Sequence, residues 1–353
     1  MIRKLKATLL KIITNVKPFP FKKEQLKKIV ILRYDRIGDM IVSLPLCKSL
    51  RTAFPNSEII VVASAVNAPI AVTSKFIDRT LIKPQAFFSW IKLLFTLRAE
   101  CPDLAIDLNH AVTPHTIFAI RILNPRHVAS PFKDGRWGVK GSDLKLFDLM
   151  PAQHPKKYSR PIAEIYLDIA RHIGCSIDKC LPYPLPRYPR PFATRKQYIV
   201  LNPSGSRSGM SLADSDLVCI LAHIQSHTSD IRVVIPAMPQ NFSHLKRLVA
   251  ELPNAAVLEP HDSVEPILPL IQYANLVITP DTALVHIACA YSTPLIAIYT
   301  NDQVLFEQWR PLDNPSARVI RSTQPKSIDG YSRQALLSAI STALSRYPIS
   351  AFR

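Results

Sequence analysis

The chain has 353 residues, beyond the ~250–300 at which a single hydrophobic core stops growing, so two domains are expected. Apolar residues make up 48% and charged residues 20%, which excludes a disordered or collagen-like chain. The 44 basic against 26 acidic side chains give a formal charge of +18 and call for an anionic partner: nucleic acid, a membrane surface or a phosphorylated substrate. No zinc-finger or RNP-type signature is present, and no basic run alternates with aromatics, so nothing points to nucleic acid.

The first segment, MIRKLKATLLKIITNVKPF, puts Ile2, Leu5, Leu9, Ile12, Ile13 and Val16 on one helical face, with Arg3, Lys4, Lys6 and Lys11 largely elsewhere. It lacks a small-residue cleavage site and the continuous ~20 apolar residues of a membrane span. Two readings stand: a basic amphipathic helix lying on an anionic membrane, or a helix packed on the protein's own surface.

Strand and helix patterns then alternate. KIVILRY reads as a strand, and MIVSLPLCKSLRTAF as a helix with Pro45 in its first turns. EIIVVAS is a second strand, 86–99 a helix, DLAIDLN (103–109) a third strand and 110–123 a helix. Such alternation predicts a parallel sheet with right-handed crossovers. Residues 125–160 read as long loops facing a substrate. PIAEIYLDIARHIG (161–174) is a helix opened by Pro and closed by Gly.

The segment LPYPLPRYPRPF (181–192) holds five prolines and reads as a semi-rigid linker. The expected organisation is an N-terminal amphipathic segment (1–22), a first domain (23–180), the linker (181–192) and a second domain (193–353). In the second domain QYIVLNPS, IRVVIPA, AAVLE, NLVITP and PLIAIYT are strands, the last of these closing the series. Helices are expected over 211–227, 241–252, 263–273 and DTALVHIACAYS. The fold class is therefore α/β, with two Rossmann-like domains facing a cleft. Ligands in such sheets bind outside the carboxyl ends of the strands.

Three strand ends stand out, partly because only eight glycines occur in the chain. Gly38 in Arg33-Tyr34-Asp35-Arg36-Ile37-Gly38-Asp39 is placed to make a strand-to-helix turn. Asp39 then sits at a helix start, either as a plain cap or as a general base, with Asp35 a rival base. Arg33 and Arg36 bind phosphate or only water. The loop Asn202 to Gly209, with Ser204, Gly205, Ser206 and Arg207, can hold a diphosphate through N–H groups, hydroxyls and a guanidinium, or is an ordinary polar turn. In Thr279-Pro280-Asp281-Thr282-Ala283-Leu284-Val285-His286, Asp281 or Thr282 caps a helix whose N-terminus attracts phosphate, and His286 shares a face with Thr282. There is no G-x-G-x-x-G and no Walker A sequence, which disfavours a dehydrogenase or P-loop NTPase. Six cysteines without a Cys-x-x-Cys pair suit a reducing compartment.

Taken together, these segments resemble glycosyltransferase family 9, the ADP-heptose:lipopolysaccharide heptosyltransferases. RYDRIGDMIVSLPLCKSLRTAFP is similar to the family's N-terminal signature and TPDTALVHIACAYSTPLIAIYT to its C-terminal one. NPSGS lies where the family has a donor-phosphate loop. The resemblance implies a glycosyltransferase B fold, with acceptor on the first domain and nucleotide-sugar on the second. It implies inverting, metal-independent transfer of heptose from ADP-heptose to the lipopolysaccharide inner core, with no cofactor, by a peripheral protein at the cytoplasmic face of the inner membrane.

By matched position the resemblance makes Asp39 the catalytic base. Gly38 matches the turn glycine, and Asp281, Thr282, Ala283, Leu284 and His286 match the donor-binding segment. It leaves Arg33 and Arg36 as acceptor-side candidates. The chain departs from the family in three places: Arg207 stands where many members have Lys, Gln240 where an acidic residue is frequent, and Ala283 where Gly is common. Two alternatives remain: the same mechanism with a different sugar donor, or a non-catalytic membrane-associated scaffold on a degenerate fold.

Overall fold

The computed structural model describes residues 2–16, 19–177, 183–190, 197–205, 207, 209–227 and 231–346. The chain divides into two compact units, Met1–Pro184 and Leu185–Arg353. Parts of the proline-rich linker (181–182 and 191–192) lie outside the described residues.

The first unit runs α1 (Ile2–Thr14), β1 (Lys28–Arg33), α2 (Ile37–Ala53), β2 (Glu58–Ala63), α3 (Ala68–Val72), β3 (Arg79–Ile82), α4 (Phe87–Ala99), β4 (Leu104–Asp107), α5 (Pro114–Leu123), β5 (His127–Ala129) and α6 (Ile162–His172). Its strands lie in the order β3-β2-β1-β4-β5, all parallel. β1 is central and buried almost throughout, which is why it reads as a continuous apolar run. Alternation along β1 splits the core. Val30 and Leu32 face a cluster with Leu10 of α1, Trp90 and Leu94 of α4 and Ile117 and Ile120 of α5. Ile29 and Ile31 point the other way, as does Arg33, whose guanidinium lies over Tyr166 of α6. On that side α2 packs against α6. Pro45 falls in mid-helix rather than in the first turns, and Ser49 donates to its carbonyl at 2.9 Å.

The second unit runs β6 (Tyr198–Leu201), α7 (Asp214–His227), β7 (Arg232–Pro236), α8 (Phe242–Leu248), β8 (Ala255–Leu258), α9 (Ile267–Gln272), β9 (Leu276–Pro280), α10 (Ala283–Tyr291), β10 (Leu295–Tyr299), α11 (Gln303–Trp309), β11 (Ala317–Arg321) and α12 (Arg333–Arg346). The order is β11-β10-β9-β6-β7-β8, again parallel. α12 packs on α7 and brings Leu336 and Ile340 into this unit's core.

Both units are therefore Rossmann-like α/β sheets. Their topological switch points lie between β1 and β4 and between β6 and β9, where chain direction reverses and side chains at the strand ends are left uncovered. Three short strands escape the sequence pattern: β3, β5 and β11. PLIAIYT is not the last strand, since β11 follows it at the sheet edge. The sequence of β11, ARVIR, mixes basic and apolar residues and carries no buried run.

Leu336 is fully buried in the second core. Leu336→Ala should lose about 2–5 kcal/mol of stability through lost burial and a residual cavity. Denaturant unfolding of the full chain measures it, and a loss under 1 kcal/mol would show that α12 does not belong to this core.

Candidate functional site

At the carboxyl end of β1 the chain turns through Tyr34-Asp35-Arg36 and enters α2. Gly38 does not make this turn: it lies inside the first turn of α2, with Arg36 as N-cap. The turn is held instead by Asn67, fully buried, from the loop after β2. Its side-chain amide donates to the carbonyls of Arg33 (3.0 Å), Asp35 (3.2 Å) and Arg36 (3.4 Å), and its Oδ1 accepts from the Ser64 N–H. Ser64 Oγ adds a bond to the Asp35 carbonyl.

Asp39 is the third helical residue, not the cap. One carboxylate oxygen accepts from the Arg36 N–H at 3.1 Å, the back-bonding half of a capping box. The other accepts from Arg33 Nη2 at 3.0 Å. Arg33 also donates through Nη1 to Asp35 and through Nε to the Asp39 carbonyl, both at 3.0 Å. Only 3% of the Arg33 side chain is accessible. A single buried guanidinium thus presents two carboxylates at the strand end, a planar fork that Lys cannot reproduce. Asp35 is the more exposed of the two, yet the protein packed around it pushes its carboxyl above the ordinary range, against the pull of Arg33. Arg36 is exposed on the same turn.

The neighbouring strand end, after β4, supplies a second polar layer. Lys133 is buried, donates to Asp107 Oδ2 at 2.6 Å and also reaches the Asn109 carbonyl. Burial pushes the Lys133 ammonium below its usual range, and Asp107 opposes that shift. His110 stacks on Tyr166. Burial, with Lys157 and Lys133 nearby, lowers its imidazole to about 3, so it is neutral at pH 7.

In the second unit the loop after β6 crosses the switch point. Asn202 Nδ2 donates to Thr279 Oγ1 at the end of β9 (2.9 Å) and to the Ser204 carbonyl (3.0 Å). Asn241 Nδ2 donates to Ser204 Oγ at 2.7 Å, fixing that hydroxyl. Gly205 is required by its own loop: a Cβ there would lie 2.1 Å from the Met210 carbonyl oxygen. Gly209 has φ +73 and its carbonyl accepts from Ile328 N and Ser327 Oγ, both at 2.8 Å. Arg207 is exposed. Ser206 lies outside the described residues.

Thr282 caps α10, accepting from the Leu284 N–H at 3.3 Å while sharing a bond with Thr279. Ala283 and Leu284 form the first turn and are half-buried. Asp281 precedes the cap. Burial pushes its carboxyl up to about 6, partly offset by Arg207. His286 is buried beside Trp309 and lowered to about 4 by burial, so it is a neutral residue of the helix interior face. The structure thus groups Arg33, Asp35, Arg36 and Asp39 in the first unit, and Ser204, Gly205, Arg207 and Asp281 to Leu284 at one strand-end edge of the second. Asn67, Tyr166, Lys133 and Asn241 lie around the same edges and were not singled out from the sequence, and Thr279 was given no role within its quoted segment. Each is a common polar or aromatic residue with a deciding partner many positions away, such as Arg33 for Asn67 and Asn202 for Thr279.

The family model for glycosyltransferase family 9 (heptosyltransferase) matches residues 187–336, which include the Asn202–Gly209 loop and α10. The match lies within the second unit, and over that segment the chain is similar to this family. It is 26% identical over 174 residues to the putative lipopolysaccharide heptosyltransferase 4 of Escherichia coli K12, covering 46% of this chain. The chain spans about half the length (47%) of that curated relative. Among solved structures, a family 9 glycosyltransferase from Veillonella parvula superposes with a TM-score of 0.71 at 15% identity, over 92% of this chain and 99% of that one. E. coli heptosyltransferase WaaC with ADP gives 0.70 at 18% identity, over 92% and 100%. At these identities the structural likeness establishes the glycosyltransferase B type of fold.

Because Asp281 titrates higher in the folded chain (about 6) than its ordinary 3.8, the folded state favours its protonated form. The stability this contributes is full below pH ~4 and is lost as pH rises through about 6. Asp281→Asn should therefore raise the melting temperature at pH 8, with the gain shrinking towards pH 4. A gain independent of pH would contradict the buried-carboxyl assignment.

Proposed function

We propose that the chain transfers a heptose from ADP-heptose to the inner core of lipopolysaccharide, by a single inverting, metal-independent displacement, as a peripheral protein at the cytoplasmic face of the inner membrane. The observation that carries this reading is the family match over the loop and helix that flank the β6/β9 switch point. The name of the E. coli K12 relative supports the sugar and acceptor class.

The donor diphosphate is assigned to the second unit, against the N–H groups at the start of α10, the Ser204 hydroxyl and the Arg207 guanidinium. The acceptor is assigned to the first unit, near Arg33 and Arg36. As the acceptor oxygen bonds to the anomeric carbon, the bond from that carbon to the diphosphate oxygen breaks. The electron pair leaves on the diphosphate, and the hydroxyl proton passes to a carboxylate at the start of α2.

Asp39 is assigned that role. The bonds it accepts from the Arg36 N–H and from Arg33 leave further lone pairs on the same oxygens, since a carboxylate accepts at about four sites. Asp35 is the second reading, favoured by its raised carboxyl and its exposed position. Asp39→Asn should leave donor affinity intact and lower kcat by ~10²–10⁴, the usual contribution of a general base. Asp35→Asn should lower it less than tenfold, and the reverse order would move the base to Asp35.

Incubation with ADP-heptose and defined core acceptors, read by mass spectrometry, should show addition of one heptose. No transfer, together with no thermal shift from any nucleoside diphosphate, would favour a non-catalytic scaffold. Arg207→Ala should weaken ADP binding about tenfold or more, as loss of a charge-assisted bond implies. An unchanged dissociation constant measured by calorimetry would remove Arg207 from the phosphate site.

A further inference from the structure

We propose that one helical face of the first unit, built from α1, α4 and α5, is a docking surface for an anionic lipid bilayer. The three helices cover the same side of the sheet, because Leu10, Trp90, Leu94, Ile117 and Ile120 join one cluster with Val30 and Leu32. Their outward sides are therefore presented in one layer.

α1 docks on the unit by Leu10 and Thr14, with Ile13 and Val16 of the apolar stripe partly turned inward beside them. Leu10 and Thr14 are buried, Ala7, Ile13 and Val16 pack partly behind them, and Lys6 lies 5.6 Å from the Trp137 ring. The rest of the stripe points outward: Ile2, Leu5, Leu9 and Ile12 are 56–69% exposed. α4 repeats the arrangement. Phe88 (83% exposed) and Phe95 (52%) are seven residues apart and share a face, with Lys92 between them and Arg98 one turn on. Phe87 stacks on Phe118 and joins the α4 surface to α5. Exposed large apolar side chains grouped in this way mark an interaction surface.

Charge selects the occupant. α1, α4 and α5 carry Arg3, Lys4, Lys6, Lys11, Lys92, Arg98 and Arg121 and no Asp or Glu. On the opposite side of the same sheet, α2 and α6 carry Asp39, Glu164 and Asp168 balanced by Lys48, Arg51 and Arg171, and among the described residues they expose no large apolar side chain. A second copy of the chain would set like charges against each other across a shared basic face. An anionic headgroup layer instead matches the cations, while the stripe reaches the acyl boundary. Among the described residues no helix is long and apolar enough to cross a membrane, so this surface lies on the bilayer. α4 and α5 begin on the carboxyl side of the sheet, the edge that bears Arg33 to Asp39.

The inference deepens the location proposed above, and its test requires neither donor nor acceptor. The full chain is floated with vesicles of phosphatidylcholine alone or with added phosphatidylglycerol. The wild type should float with the anionic vesicles and lose that binding in high salt. Leu5→Glu, Leu9→Glu and Phe88→Glu combined should weaken partitioning by roughly tenfold or more with an unchanged melting temperature, since all three side chains are exposed. Lys4→Glu with Lys11→Glu should also weaken it. Failure of the wild type to float, or flotation of the triple variant like wild type, would overturn the proposal. So would a wild-type dimer, seen by light scattering without lipid, that the triple variant dissociates. Vesicle binding without sugar transfer would leave this surface standing and remove the proposed reaction.

Discussion

A buried guanidinium must be neutralised where it lies, and Arg33 is such a group. It ends the central strand β1 on the side facing α6, where Tyr166 covers it and water cannot screen it. Asp35 and Asp39 satisfy its fork, and their doing so fixes the turn into α2. The two carboxylates are thereby held at the switch point by the same interaction that closes the core beneath them. Holding the turn is compatible with the catalytic role proposed for Asp39, since a carboxylate accepts at about four sites.

The second unit meets the equivalent strand end with neutral partners. Asn202 and Thr279 bridge β6 and β9, and Thr282 continues the chain of bonds into the α10 cap. Hydroxyls and amides leave the helix N-terminus electropositive, which suits a diphosphate. The first unit's strand end thus bears two carboxylates around a buried guanidinium, and the second an amide and hydroxyl network beside Asp281. The surface of the first unit adds a third division, between a basic apolar helical side and one that carries the acidic residues.

Much of this was legible in the residues. The central strands β1, β6 and β9 are apolar runs closed by polar segments, and the helices α2, α4, α6 and α10 follow from periodicity and their end signals. β3, β5 and β11 were not legible: β3 and β11 bury little, and β5, though buried, is too short to form an apolar run. Gly38 was misjudged for a related reason. A glycine beside a strand end suggests a positive-φ turn, but Asn67 secures the turn with ordinary residues, and its partners lie about thirty positions upstream.

The sequence by itself determined the α/β alternation, the excess of positive charge, the strand ends that bear Asp39, Ser204 and Asp281, and the amphipathic character of α1. Those features depend on residue type and local spacing. Only the tertiary structure decided which groups meet: Arg33 with both carboxylates, Asn67 with the turn, Asn202 with Thr279, and α1 docked with most of its apolar stripe outward. Local periodicity defines a helix face but not its neighbour. That choice belongs to the core, which here took Leu10 and Thr14 and left Leu5 and Leu9 in solvent.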